Sequence, residues 1–219
     1  MSLKDLEKKL GYYFNDISLL ELALIHKSSN NSSNNERLEY LGDSILTGVI
    51  SEYLFLKFPD EKEGKLTRMR SFLVKGETLT KKANELDLVM FIKLSKGTAN
   101  LSENRKYSIL EGSIESVIGA IFLDNGWDKA KSFILEIFSK ELSELGSDQE
   151  FRDSKTELQE LLQSKKLKPP TYISKESHNG FNCEVELNKN IFTATGNSKR
   201  QAEIAAAKKA LIYLKLENA

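Results

Sequence analysis

Apolar residues recur at helical spacing along the first two thirds of the chain, from Leu3 to about Leu145. The clearest runs are Ile17 to Ile25, Leu38 to Phe58, Leu66 to Leu73, Leu79 to Leu88, Ile109 to Leu123 and Ala130 to Leu142, and each predicts a helix with one apolar face. Two polar interruptions, Ser28 to Asn35 and Ser95 to Tyr107, are rich in turn and helix-capping residues and predict surface loops. A short polar stretch from Gly146 to Asp153 reads as a linker, and beyond it the rhythm changes. Ser154 to Ser164 is helical in pattern, with Leu158, Leu161 and Leu162 on one side and Pro169-Pro170 closing the connection. Thr171 to Lys175, Phe181 to Leu187 and Ile191 to Thr195 predict strands, with turns at Asn179-Gly180 and at Asn188 to Asn190. Ser198, as an N-cap, then opens an alanine-rich helix reaching Leu216. The pattern divides the chain into an all-α domain (residues 1–145), a linker (146–152) and a small α+β domain of order α-β-β-β-α (153–219).

Composition narrows the class without deciding it. At 219 residues, with 40% hydrophobic and 29% charged residues, the chain is long enough for one large or two modest globular domains. No apolar run of about 18 residues and no secretory-type stretch is present, so the expectation is a cytoplasmic protein with no membrane partner. The lone Cys183 excludes an intramolecular disulfide and a cysteine-rich zinc site, and is expected to be a half-buried hydrophobe. Formal charge is zero, but residues 153–219 hold 11 Lys/Arg against 8 Asp/Glu, leaving 21 against 24 in the rest. The small domain is therefore the basic one.

Asn35 to Leu46, NERLEYLGDSIL, carries the candidate chemistry. At about 100° per residue, Glu36, Glu39 and Asp43 fall within roughly 60° of one another, opposite Leu38, Leu41, Ile45 and Val49. A solvated acidic face would ordinarily explain such a trio. Here Glu39 and Asp43 form a like-charge i,i+4 pair, and no Lys or Arg stands three or four residues after any of the acids. The arrangement makes sense around a bound cation. Hard divalent ions such as Mg²⁺ take oxygen ligands, keep several waters and need few carboxylates besides substrate phosphate. Metal-assisted phosphodiester cleavage is the matching chemistry. A partner carboxylate, Glu115, borders an apolar face of Ile114, Val117, Ile118 and Ile121, with Gly112, Ser116, Gly119 and Ala120 small enough for close helix packing. Burial of that carboxylate demands either an ion pair or a metal, and spacing does not separate the two.

This segment closely resembles the signature of the ribonuclease III family. Ala23 to Ser28 (ALIHKS), Glu63-Gly64 with Leu66 to Arg70, and Ile118 to Asp124 (IGAIFLD) extend the resemblance in order and spacing over nearly the whole chain. It implies an all-α endonuclease domain followed by a double-stranded RNA-binding domain, and a homodimer with a catalytic valley that cuts both strands of an RNA duplex to 5′-phosphate and 3′-hydroxyl ends. By position, Glu39, Asp43 and Glu115 match metal-binding carboxylates for Mg²⁺, with Mn²⁺ as a substitute. Together with Glu36 they are the expected catalytic acids; Glu63 lines the valley. Tyr40 matches an aromatic that inserts into the partner subunit, and it also projects to the side away from the leucines. One departure stands out. The family's usual Asp three residues before Glu115 is replaced by Gly112, and Glu111, about 100° around the helix, is not expected to substitute without local distortion.

In the tail, Gly196 to Ala207 resembles the closing helix of double-stranded RNA-binding domains. Ser198, Lys199 and Arg200 at its N-terminus suit phosphates across the A-form major groove. On the first helix of that domain Thr156, Gln159, Glu160 and Gln163 share a polar face able to meet 2′-hydroxyls, and His178 sits where the family presents a second minor-groove contact. His26 is expected to be a structural residue on a helix. The resulting expectation is an Mg²⁺-dependent double-stranded RNA endoribonuclease of the rRNA- and mRNA-processing class. The alternative is a dimeric RNA-binding protein weakened or silenced as a nuclease by Gly112.

Overall fold

The computed structural model describes residues 2–29, 32–95, 102–146, 154–177, 180–187 and 190–216. Two compact units emerge, Met1–Gln149 and Glu150–Ala219. The first is helical: α1 (Leu3–Leu10), α2 (Ile17–Ala23), α3 (Glu36–Lys57), α4 (Glu63–Leu73), α5 (Gly76–Glu85), a 3-10 turn at Leu88–Met90, α6 (Glu103–Ile137) and α7 (Ser139–Ser143). Among the described residues no helix is long and apolar enough to cross a membrane.

The core of this unit lies where α3 packs on α6. Leu38, Ile45, Leu46, Val49, Ile50 and Leu54 from α3, and Ile114, Val117, Ile118 and Ile121 from α6, are all buried. Each such side chain contributes about 1.5–3 kcal/mol on leaving water. The helices cross backbone to backbone. A Cβ on Gly42 would stand 1.7 Å from the carbonyl oxygen of Glu115, and one on Gly119 would stand 2.3 Å from that of Leu38. No other residue fits at either position without the helices separating.

The runs at Ile109 to Leu123 and Ala130 to Leu142 lie on either side of a break in α6 at Asn125-Gly126, where Gly126 adopts φ +76°, so they form separate helical segments as the pattern predicts, the second continuing into α7. Two boundaries depart from the pattern reading. Part of the stretch expected as a loop, Glu103 to Tyr107, is already the first turn of α6. His26 lies beyond the end of α2, in a turn where its Nδ1 meets Ser28 Oγ at 2.9 Å and accepts from Ser28 N–H at 3.1 Å, so it is not on a helix.

In the second unit, α8 (Ser154–Ser164) is followed by β1 (Thr171–Ser177), β2 (Gly180–Leu187), β3 (Asn190–Gly196) and α9 (Lys199–Leu216). The strands form an antiparallel sheet in the order β1-β2-β3, with Ser174 opposite Cys183 and Cys183 opposite Ala194. Leu158 and Leu162 of α8, Cys183, Val185 and Leu187 of β2, and Ala202, Ala206, Ala207 and Ala210 of α9 form its core. Alanines allow α9 to lie close on the sheet. Cys183 is fully buried rather than half-buried, because residues alternate faces along a strand and its face of β2 is the one α9 covers.

Candidate functional site

The close crossing of α3 and α6 brings acids from both helices to one cleft. Glu39 and Asp43 come from α3; Glu111 and Glu115 come from α6. Glu115 is the innermost, only 9% exposed. Among the described residues no cationic side chain pairs with it. Burial and then the charges of Asp43, Glu111 and Glu39 push its carboxyl up to about 8. Glu39, half-buried, is raised chiefly by burial, with Lys27 pulling it down and Glu36 and Glu111 pushing it up. Glu111 is raised by burial and by Asp43. Four carboxylates thus repel one another in a partly dry cleft. Burial of a carboxylate without a cation is costly, and among the described residues no ion pair offsets that cost at Glu115.

Among the described residues, no three acidic, histidine or cysteine side chains are grouped closely enough to hold a metal ion as they stand. The cleft is open, with Asp43 exposed to solvent. The donors are all carboxylate oxygens, the ligand type that hard divalent cations take. The buried, unpaired Glu115 carboxylate is the group that such an ion would compensate.

Gly112 has a direct structural counterpart. A Cβ there would come within 2.6 Å of Glu39 Oε2 and 2.7 Å of its Cδ, so the Glu39 carboxylate occupies the space above the glycine. Glu111 lies on a helical stretch of α6 one turn before Glu115, and its charge raises the carboxyls of Glu115 and Glu39. Sequence reasoning also missed Gly42, whose role depends on a backbone contact with a helix some 70 positions away.

The remaining acids stand at the margins. Glu36 is exposed and pairs with Lys27 at 3.1 Å. Glu63, at the start of α4, accepts from Thr67 Oγ1 at 3.0 Å and lines a groove with Ser51, Phe55 and Arg70. Ser51 is eight residues beyond Asp43, roughly 12 Å along α3. Within one chain, therefore, Glu63 does not join the four-acid cluster. Tyr40 is 79% exposed, and Phe55 and Leu56 on the same helix are also exposed.

In the small unit, Thr156, Gln159, Glu160 and Gln163 all lie on the exposed side of α8, opposite buried Leu158 and Leu162. Ser198 Oγ accepts from the backbone N–H of Gln201 at 3.2 Å, capping α9, and Lys199 and Arg200 are exposed in its first turn. Lys209 instead donates to the Thr193 carbonyl at 2.7 Å. Lys155 binds Glu203 Oε2 at 2.7 Å, and Ser174 Oγ donates to Glu203 Oε1 at 3.3 Å, tying α8, α9 and β1 together. His178 lies outside the described residues.

A helical domain with an acidic cleft, carried on the same chain as an α-β-β-β-α module, defines an endoribonuclease equipped to hold duplex RNA. Residues 16–142 match the family described as Ribonuclease-III-like, and residues 154–214 match the double-stranded RNA binding motif. The chain belongs to the ribonuclease III family. It is 44% identical over 213 residues to Ribonuclease 3 of Marinomonas sp. (strain MWYL1), covering 94% of this chain and 93% of that protein. It is 42% identical to Ribonuclease 3 of Vibrio parahaemolyticus, covering 95% and 96%. Among solved structures, the nuclease domain of ribonuclease III from Campylobacter jejuni superposes with a TM-score of 0.61 at 41% identity, covering 66% of this chain and 99% of that one. A second structure of that domain, described as flexible in a region involved in dimer formation, gives 0.60 at 43% identity, covering 64% and 97%.

Proposed function

We propose that the protein hydrolyses phosphodiester bonds of double-stranded RNA with Mg²⁺, or Mn²⁺ in its place, leaving 5′-phosphate and 3′-hydroxyl ends. The observation that carries this reading is Glu115: a buried carboxylate with no cationic partner among the described residues, facing Asp43, Glu111 and Glu39. Glu39, Asp43 and Glu115 would hold the ion. When bound, the ion supplies Lewis-acid activation of water and neutralises charge on the scissile phosphate. The chain's own part is to hold these oxygens at a fixed spacing through the Gly42–Gly119 crossing and to keep the inner side of the cleft dry. Glu36, paired to Lys27 at the rim, acts on the field around Glu39.

The working unit is a homodimer. Exposed Tyr40, Phe55 and Leu56 give α3 an apolar outer face suited to a second copy, with Tyr40 as anchor and Glu63 lining the valley so formed. RNA is read by shape: Thr156, Gln159, Glu160 and Gln163 meet 2′-hydroxyls, His178 reaches the neighbouring minor groove, and Ser198, Lys199 and Arg200 meet phosphates. The setting is cytoplasmic processing of rRNA and mRNA precursors.

The test is incubation of the full chain with a long RNA duplex in Mg²⁺, in Mn²⁺ and in chelator, followed by analysis of fragment ends. Metal-dependent cleavage to 5′-phosphate ends is expected. Duplex binding without metal-dependent cleavage would overturn the nuclease reading in favour of a binding protein silenced at Gly112.

A further inference from the structure

We propose that Glu111 is the fourth carboxylate of the acidic cleft, supplying from the position before Gly112 the negative charge that Gly112 cannot, and that Gly76 is the seat that lets it do so. The inference rests on the cation-binding reading of the cleft given above.

Three observations meet at this residue. First, position 112 has no side chain, and the space above it is filled by the Glu39 carboxylate, 2.6 Å from where a Cβ would be. Second, Glu111 is half-buried and, among the described residues, has no cationic partner, yet its charge is felt by both Glu115 and Glu39 while it feels that of Asp43. It therefore lies within electrostatic reach of every other acid in the cluster. Third, its carboxylate rests against Gly76, the first residue of α5. A Cβ on Gly76 would stand 2.8 Å from Oε2, 2.9 Å from Oε1 and 3.0 Å from Cδ. Any larger residue at position 76 would displace the carboxylate from its seat.

A structural account also exists. A carboxylate at the first turn of α5 could complement the positive end of that helix. Such a partner would pull the Glu111 carboxyl down, whereas burial and Asp43 hold it above its ordinary value. The two accounts differ in what removal of the charge does. A helix-capping Glu111 stabilises the metal-free protein, so neutralising it lowers stability. A cleft carboxylate repels its neighbours without metal, so neutralising it leaves the metal-free protein equally or more stable and weakens cation binding.

The experiment uses the full chain without RNA. Mn²⁺ binding is followed by the loss of the free-ion electron paramagnetic resonance signal, and melting is followed in chelator, for wild type, Glu111→Gln, Glu115→Gln and Gly76→Ala. Glu111→Gln is expected to weaken Mn²⁺ binding about tenfold with no loss of melting temperature in chelator. Gly76→Ala, which should favour helix in itself, is expected to weaken binding while keeping the fold. Should Glu115→Gln weaken binding while Glu111→Gln and Gly76→Ala match wild type, Glu111 is no part of the site and this inference falls alone. Unchanged binding in Glu115→Gln and Glu111→Gln alike would overturn the cation-binding cleft itself. A lower melting temperature of Glu111→Gln in chelator, with unchanged Mn²⁺ binding, would assign the residue to α5 instead.

Discussion

Replacing Glu115 by Gln removes an ionisable group from the driest part of the cleft while keeping the side chain's size. Its carboxyl ordinarily titrates near 4.5 and is pushed to about 8 in the fold, first by burial and then by Asp43, Glu111 and Glu39. Between those two values the native protein binds more protons than the unfolded chain, so stability falls as pH rises through that window. Each pH unit is worth 1.36 kcal/mol, so the cost reaches about 3 kcal/mol by pH 7. Water at the open mouth of the cleft screens part of it, and about 1–2 kcal/mol is the expected net effect. Glu115→Gln should therefore melt about 3–6 °C higher than wild type in chelator at pH 7, and the gap should nearly close at pH 5. Saturating Mg²⁺ should reverse the order, because a ligand at a hundred times its dissociation constant stabilises by about 2.7 kcal/mol and the variant forgoes that gain. The assay is thermal melting at fixed protein concentration, at both pH values, with and without Mg²⁺. A variant less stable than wild type in chelator at pH 7 would refute the reasoning, since Glu115 would then have a stabilising partner in the fold.

Gly42→Ala places a methyl group 1.7 Å from the Glu115 carbonyl oxygen; a loss of about 3 kcal/mol in urea unfolding, with loss of cleavage, is expected. Gly112→Asp meets only the movable end of Glu39, so the protein should fold, lose about 1 kcal/mol in chelator from added like charge, and bind Mg²⁺ more tightly by calorimetry. Glu203 is held below its ordinary value, chiefly by its hydrogen bond from Lys155; its contribution is present above pH 4.5 and is lost as pH falls through the lowered native value. Glu203→Gln should thus cost the small domain about 1–2 kcal/mol at pH 7 and flatten its acid unfolding curve. Lys199→Ala should weaken duplex binding regardless of sequence and lower the slope of log affinity against log salt by about 1, read by filter binding at several salt concentrations.

The acid-bearing face of α3 was legible because three carboxylates at helical spacing, without compensating cations, leave a periodic trace. The order of the small domain was legible for the same reason: period two in the strands, period 3.6 in the flanking helices. Of the contacts made across the fold, only the small-residue stripe with Gly119 left a trace. Gly42 reads as an ordinary glycine until Glu115 and Gly119 are seen pressed against it. Counting degrees around a helix fixes the Cβ direction of Glu111 but not where its long side chain ends. Gly76, on a separate helix, provides the seat for that end. The break at Asn125-Gly126 falls in the gap between the apolar runs Ile109 to Leu123 and Ala130 to Leu142, so the separate helices were legible too.

The meeting of α3 and α6 at Gly42 and Gly119 also fixes what can vary without rebuilding. Where side chains hold two helices apart, exchanging one alters the gap, and every group on both helices shifts with it. Here the gap is set by main-chain atoms in contact, so the width of the cleft is independent of what residues 39, 43, 111, 112 or 115 carry. Oxygens can be removed from one position and introduced at the next while the frame stays constant. The nuclease domain thus resembles a fixed mount with exchangeable fittings, and engineering of the proposed metal site can begin with those five positions while leaving the two glycines untouched.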